Sequence, residues 1–390
     1  MVELPVWRGE ERPGSLPWET VWADILGLYK TGLHPAIALA IAHKGEVVLD
    51  RAVGHRVPGG TERVGPHTLY NLFSASKILT AAVVSALLER EVLRLEEPLV
   101  ASLHEMAGTG KEGIRLRHLL QHSAGISEMP QGLEPMAALG DPSQVLGPLL
   151  ALPAASPPGR RVAYHPISSW LLLSLLVERK TGKDLRTLSR ELLLDPLGLK
   201  EFGYGVAAKD LGRVALHART GLDRVPVMEG IFQKTTGVST AVAVQISNHP
   251  AFLQAVLPSA NVIGTARDTL RLLECLRLGG ELDGVRVLKP ETVRRMLEDE
   301  TPRSFDGTFG FPMRYGLGMM KGGDRFSLFG MRTRKAFGHL GFSNVLVYSD
   351  PERQLSVAFL NTGKPMLAPG MVPWAMLVQR LAAMVPRERS

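Results

Sequence analysis

Read for hydrophobic and polar positions, the chain starts with strand pattern, turns helical, and ends with strand pattern again. Pro35-Ala36-Ile37-Ala38-Leu39-Ala40-Ile41-Ala42 and Glu46-Val47-Val48-Leu49-Asp50 are apolar runs split by Lys44-Gly45, which predicts a β-hairpin. Residues 19–30 ahead of it carry helical spacing. From residue 76 the period is helical: Ile78, Leu79, Ala82, Val83 and Leu87 share a buried face, and further helices are expected near 115–121, 168–180 and 184–193. Residues 222–262 show no clear period. Thr265-Ala266-Arg267-Asp268 then has capping-box spacing before an amphipathic helix that Gly279-Gly280 ends, and Pro290 opens another to about 298. Strands are expected over 314–320, 336–340, 344–348 and 355–361, the last two joined by Asp350-Pro351-Glu352-Arg353, followed by a helix over 372–385.

Strand pairs at both ends with helices between predict an α/β (α+β) fold, an antiparallel sheet flanked by helices. The expected sheet domain is discontinuous, residues 1–75 and 226–390, with a mostly helical domain inserted over 76–225.

Composition changes this picture little. With 45% hydrophobic and 21% charged residues in 390, the chain is of ordinary globular type and can bury a large core. The net charge of +7 comes mainly from scattered arginines with no basic run and no interleaved aromatics. That reads as a solvated surface, so no nucleic-acid partner is expected. Cys275 is the only cysteine, which rules out an internal disulfide and suits a buried structural thiol. No basic-then-apolar leader is seen, and the apolar run Trp170–Val177 is too short to span a bilayer. A cytoplasmic protein without membrane attachment is expected. Neither metal-ligand spacing nor a phosphate loop is present, so no metal and no cofactor are expected. Oligomeric state leaves no mark on the pattern.

The candidate chemistry begins at Asn71-Leu72-Phe73-Ser74-Ala75-Ser76-Lys77-Ile78. On a helix, positions i and i+3 share a face, so Lys77 can bring its amine toward the Ser74 hydroxyl at a helix N-terminus, where backbone N–H groups favour developing negative charge. An activated serine needs that combination of base and oxyanion donors. A Ser-x-x-Lys pair arises by chance about once in a chain of this composition, so it decides nothing alone. Two further features stand beside it: Tyr164 in a Pro/Gly-framed loop, and His339 in Phe337-Gly338-His339-Leu340-Gly341-Phe342, whose glycines allow close backbone approach.

With Leu119-Leu120-Gln121-His122-Ser123-Ala124-Gly125-Ile126 and the Thr-Ala-Arg-Asp helix added, these motifs follow one another in the order of a known family. Over about residues 34–365 the sequence resembles the serine β-lactamase and penicillin-binding superfamily, in particular its class C-like branch with family VIII carboxylesterases and DD-peptidases. The resemblance implies a β-lactamase/transpeptidase-like fold, Ser74 as acylated nucleophile, Lys77 as its proton partner and Tyr164 as base. It also implies an oxyanion hole from the N–H groups of Ser74 and Phe342, with His339-Leu340-Gly341 in the place of the family's Lys-Thr-Gly. Lys77 is expected to be lowered in pKa by desolvation and Tyr164 by nearby positive charge.

Two departures bear on substrate. Where the family's lactamases have Asn two residues after the tyrosine, this chain has Pro166, and His339 replaces a fixed lysine cation with a group only partly charged near neutral pH. Both are common to the family's esterase-like members and argue against efficient β-lactam recognition, so the resemblance implies a serine carboxylesterase that hydrolyses small-molecule, short-chain esters through an acyl-enzyme on Ser74. A β-lactamase, a D-alanyl peptidase, an acyltransferase and a non-catalytic binding protein are the competing readings. Lys180-Thr181-Gly182 is expected to end a helix, Gly237-Val238-Ser239-Thr240-Ala241 to be a loop, and His122 to be structural.

Overall fold

The computed structural model describes residues 4–132, 143–221, 226–298, 301–325, 327–365 and 371–388. In chain order its strands are β1 Val6–Arg8, β2 Ala36–His43, β3 Glu46–Gly54, β4 Tyr70–Asn71, β5 Phe202–Tyr204, β6 Ala218–Thr220, β7 Val262–Gly264, β8 Glu281–Leu282 and β9 Val285–Arg286. There follow β10 Ser304–Phe305, β11 Pro312–Met313, β12 Met320–Lys321, β13 Phe337–Leu340, β14 Leu346–Asp350, β15 Leu355–Asn361 and β16 Gly363–Pro365. The main sheet has seven strands in the order β1-β3-β2-β15-β14-β13-β12, all paired antiparallel. Strands from the two ends of the chain meet where β15 pairs with β2.

The composition of β2 sets how the layers pack. Ala36, Ala38, Ala40 and Ala42 face one core with Leu270 and Leu273 of the helix Ala266–Arg277. Ile37, Leu39 and Ile41 face the other core with Trp18, Trp22 and Ile25 of the helix Trp18–Lys30 and Leu377 and Leu381 of the helix Met371–Met384. Small side chains on one face admit a helix closely; large ones on the other fill a wider gap, each contributing about 1.5–3 kcal/mol on burial. The hairpin turns at Lys44 and Gly45, both at positive φ (55° and 83°), the conformation a two-residue hairpin loop favours.

Most of the expected elements are present, and the departures have local causes. Of residues 314–320 only Met320 enters a strand, β12: Gly316 N–H donates to Met319 O (2.9 Å), and Gly318 turns at φ 79° where Ala81 and Trp170 leave no room for a Cβ. Thr265 caps its helix by accepting from the Asp268 N–H (3.1 Å), yet the Asp268 carboxylate accepts from Glu201 N–H (2.9 Å) instead of closing the reciprocal box. Residues 226–254, unreadable by period, hold the short helices Pro226–Thr236, Thr240–Ser247 and Pro250–Gln254. Ser239 caps the second by accepting from Val242 N–H (3.2 Å). Gly182 ends the helix Ser168–Thr181 in the left-handed conformation, and Cys275 is buried. Among the described residues no helix is long and apolar enough to cross a membrane.

Candidate active site

Ser74 lies in a short 3-10 turn, Phe73–Ser76, between β4 and the helix Lys77–Glu89. Leu72 N–H donates to Val262 O (2.9 Å), and Val262 N–H donates to Ser76 Oγ (2.8 Å), so β7 clamps the turn from both sides. Phe73 carries φ 48°, a left-handed conformation unusual for an aromatic residue, and its N–H donates to Asn71 Oδ1 (3.1 Å). Strain of this kind persists where the surroundings over-determine it. Ser74 is partly exposed while Phe73, Ala75 and Ser76 beside it are buried. Ser76 is accordingly a structural hydroxyl.

Lys77 is fully buried. Its Nζ donates to Pro166 O (2.9 Å) and, more weakly, to Ser259 O (3.4 Å), and it stands 5.1 Å from the Tyr164 ring centre and 5.3 Å from that of Trp170. No ion pair compensates it among the described residues, and burial pushes its pKa well below the ordinary lysine value. A neutral amine has two N–H bonds. Burial favours that form, in which two carbonyl oxygens, one close and one at the limit, face the N–H bonds and the lone pair can accept a proton.

The backbone of Tyr164 is held on both sides. Ala163 N–H donates to His122 O (2.9 Å), His165 N–H to His122 Nδ1 (3.0 Å) and Ile126 N–H to His165 Nε2 (3.1 Å). The Leu119–Ile126 motif is thus a buckle for the tyrosine loop, and His122 has the structural role expected of it. From the other side Asp306 Oδ1 accepts from Tyr164 N–H (3.2 Å), Thr308 N–H (2.8 Å) and Phe309 N–H (2.9 Å), while Oδ2 accepts from Tyr315 Oη (2.8 Å). The Tyr164 ring lies against His122, Phe309 and His339, with centres 4.7, 4.9 and 5.8 Å apart.

The expected direction of the Tyr164 shift is corrected here. Burial raises the phenol above its ordinary value and the Asp306 charge raises it further; the Ser74 hydroxyl, close by but not in regular hydrogen-bond geometry, only partly opposes them. Solvent exclusion outweighs any nearby positive charge, so the tyrosine rests protonated.

His339, on β13 opposite Val347 of β14, is fully buried, and its Nδ1 donates to Leu340 O (2.7 Å). Burial first and Lys77 second hold its pKa well below the usual histidine value. It is a neutral imidazole, a further step from a fixed cation than the sequence suggested, while Arg334 and Lys335 lie exposed. Beyond it, Gly341 approaches so closely that a Cβ would overlap the Leu72 carbonyl oxygen. This contact brings Phe342 to the serine turn, where its ring meets that of Phe73 at 5.4 Å and that of Phe232 at 4.9 Å. Among the described residues neither the Ser74 N–H, outside its own 3-10 turn, nor the Phe342 N–H donates to a backbone carbonyl. A separate cleft of about 390 Å³ at the β2–β3 hairpin, lined by Glu46, Arg267 and Glu274 among others, holds none of these groups.

All six candidates, Ser74, Lys77, Tyr164, His339, Gly341 and Phe342, therefore converge on one end of the sheet. Asp306 and Tyr315 were not anticipated. Asp306-Gly307-Thr308 is a turn signal by composition, but nothing in the pattern tells what its carboxylate holds.

This sheet and the gathering of a partly exposed serine, a buried lysine and a buried tyrosine at its end define a serine hydrolase of β-lactamase-related type. The chain belongs to the Beta-lactamase family, whose model matches residues 27–378. It is 27% identical over 343 residues to the esterase/β-lactamase LipL of Mycobacterium tuberculosis, covering 83% of this chain and 76% of that one. It is also 27% identical over 270 residues to esterase EstB of Burkholderia gladioli, covering 62% and 65% of the two chains. The fold matches a crystal structure of a family VIII carboxylesterase with TM-score 0.82 over 97% of this chain and 99% of that one, at 23% identity.

Proposed function

We propose that the protein is a carboxylesterase that hydrolyses short-chain esters through an acyl-enzyme on Ser74. The observation that carries this reading is a partly exposed Ser74 beside a Tyr164 phenol that burial keeps protonated and a buried Lys77 that burial pushes toward the neutral amine. In the first step the Ser74 proton passes by way of Tyr164 Oη to Lys77, and Ser74 Oγ bonds to the ester carbonyl carbon. The oxyanion accepts from the Ser74 and Phe342 N–H groups. The tetrahedral adduct collapses, the C–O bond to the alcohol breaks, and the proton returns through Tyr164 to the departing alkoxide. Water repeats the sequence on the acyl-enzyme and releases the acid. The base in this reading is Lys77, with Tyr164 as the relay, because, of the two groups beside Ser74, burial favours the basic form of Lys77 and the protonated form of Tyr164.

Buried Phe73 and the partly exposed Phe342 and Phe232 stack beside the serine turn as an apolar, crowded wall that suits small acyl groups. A neutral His339 and the donor-free side chain of Pro166 offer little to a substrate carboxylate or a lactam amide. Both favour esters over β-lactams and D-alanyl peptides. The test is a p-nitrophenyl ester series of rising acyl length on wild type and Ser74→Ala, with nitrocefin alongside. Acetate and butyrate turnover that falls to background in Ser74→Ala, with slow nitrocefin turnover, is expected. Activity retained in Ser74→Ala would remove Ser74 from the role.

A further inference from the structure

Against the ring of Phe73, the residue before the nucleophile, lies a second set of buried basic groups that ester hydrolysis does not use. Lys364 on β16 is 1% exposed and its Nζ stands 4.7 Å from the Phe73 ring centre. The ring of His217 lies 4.7 Å from that same ring. His34 joins them from the segment leading into β2: a Cβ on Gly363, the neighbour of Lys364, would fall against His34 Nδ1, and both histidines are within electrostatic reach of Lys364. All three side chains are at least 96% removed from solvent by the same measure.

Their polar atoms are poorly matched. Lys364 Nζ donates only to Asn361 O (3.2 Å) and, at the limit, to Asn361 Oδ1 (3.4 Å), and no ion pair involves it among the described residues. The carbonyl groups of Gly363 and Thr362 lie near the rings of His34 and His217, yet none of the four ring nitrogens completes a hydrogen bond, and neither does Asn361 Nδ2. One buried unpartnered imidazole nitrogen is commonplace. Five unpartnered nitrogens gathered around one lysine call for a shared partner.

We propose that Lys364, His34 and His217 form an internal site for one small monovalent anion of carboxylate size or less. The donor set decides the sign. Lysine and the Asn361 amide are donors, and each imidazole presents at least one N–H, so a single anion can accept from all of them. A water molecule could donate to the Asn361, Gly363 or Thr362 carbonyl oxygens, but it can accept from only two donors and would leave the other N–H groups of the set unmatched. A metal cation would meet lysine without any carboxylate or thiolate; no cluster of three metal-binding side chains occurs among the described residues. The anion is either a free ion such as chloride or formate, or the carboxylate of a substrate reaching past Phe73. The substrate case rests on the reading of Ser74 given above.

Melting temperature is followed while sodium formate or chloride replaces a bulky organic anion at constant ionic strength, in wild type, Ser74→Ala, Lys364→Met and His217→Phe. A saturating rise in wild type and Ser74→Ala that is absent from Lys364→Met is expected; His217→Phe serves if Lys364→Met does not fold. A crystal soaked in bromide should show an anomalous peak within hydrogen-bond distance of Lys364 Nζ. Equal salt responses in wild type and both variants, or no peak there, overturn the site. The source is read from kcat/KM for mono-p-nitrophenyl adipate against p-nitrophenyl hexanoate. A preference for the adipate that drops tenfold or more in Lys364→Met assigns the site to substrate, and an unchanged ratio with the salt response intact assigns it to a free anion. Because the salt response is read in Ser74→Ala as well, failure of the nucleophile assignment leaves that result standing.

Discussion

Asp306 is the residue whose removal should cost most for its size. Its carboxylate accepts four hydrogen bonds, three from the N–H groups of Tyr164, Thr308 and Phe309 and one from Tyr315 Oη, in a fully buried setting. Asp306→Ala leaves those four donors without an acceptor. At about 1–3 kcal/mol for each buried unsatisfied group, the loss is about 4–8 kcal/mol after partial relaxation. That approaches the whole stability of an ordinary domain, about 5–15 kcal/mol, so the alanine variant is expected to be largely unfolded. Asp306→Asn is the informative change. The amide oxygen can stay on the three backbone donors while its NH₂ turns to the Tyr315 oxygen, which then accepts. Only charge assistance is lost, about 1 kcal/mol per bond, giving about 2–4 kcal/mol in urea unfolding followed by circular dichroism. Since the Asp306 charge also raises Tyr164, the asparagine variant should lower the pH at which the phenol ionises, read from the alkaline limb of kcat/KM for p-nitrophenyl butyrate. A loss under 1 kcal/mol in Asp306→Ala would refute the idea that this carboxylate holds the tyrosine loop.

Gly341→Ala places a methyl group on the Leu72 carbonyl, two residues before Ser74, and should lower kcat/KM about 100-fold by displacing the serine turn; steady-state kinetics beside a melting curve checks it. Thr265→Ala removes the hydroxyl that caps Ala266–Arg277 and should cost about 1 kcal/mol in urea unfolding with activity unchanged per folded molecule. Buried His34 and His165 have pKa values lowered from 6.5 to about 3, so below pH 6.5 the unfolded chain binds protons that the folded one does not. Stability should therefore fall on acidification by about 1.4 kcal/mol per pH unit for each between 6.5 and 3, and His165→Asn should flatten the slope between pH 6.5 and 4.5 in urea unfolding. Lys77→Met should abolish esterase activity with little net change in stability, because relief of a buried amine without an ion pair is set against the Pro166 and Ser259 carbonyls it leaves without a donor; pre-steady-state acylation and urea unfolding separate the two effects.

What the sequence made legible was local. Lys44-Gly45 between two apolar runs predicts its hairpin because turn and strands lie within one short window, and Gly182 marks a helix end by its own conformation. Ser74 and Lys77 stand one helical turn apart, and the motif order supplied Tyr164, His339, Gly341 and Phe342. The rest was assembled across the chain. Asp306 matters because of Tyr164, 142 positions away, and Lys364 because of His34 and His217, none of them marked by spacing. The direction of the Tyr164 shift failed for a related reason: charge can be counted in a sequence, but the depth of burial that outweighs it cannot. Residues 314–320 read as a strand by their apolar residues, and two glycines bent them into a turn.

The pairing of β2 with β15 has a consequence for how the protein is made. His43 lies opposite Leu355, so one edge of the hairpin leaves the ribosome more than three hundred residues before its partner strand exists. At about 5–20 residues per second, that edge stays uncovered for about 15–60 s. Ser74 emerges early in that interval, and the Gly341 contact that brings Phe342 to it comes only near the end. An incomplete chain therefore carries Ser74 without the Gly341 contact beside it, and exposes an apolar edge that needs shelter until β15 is made.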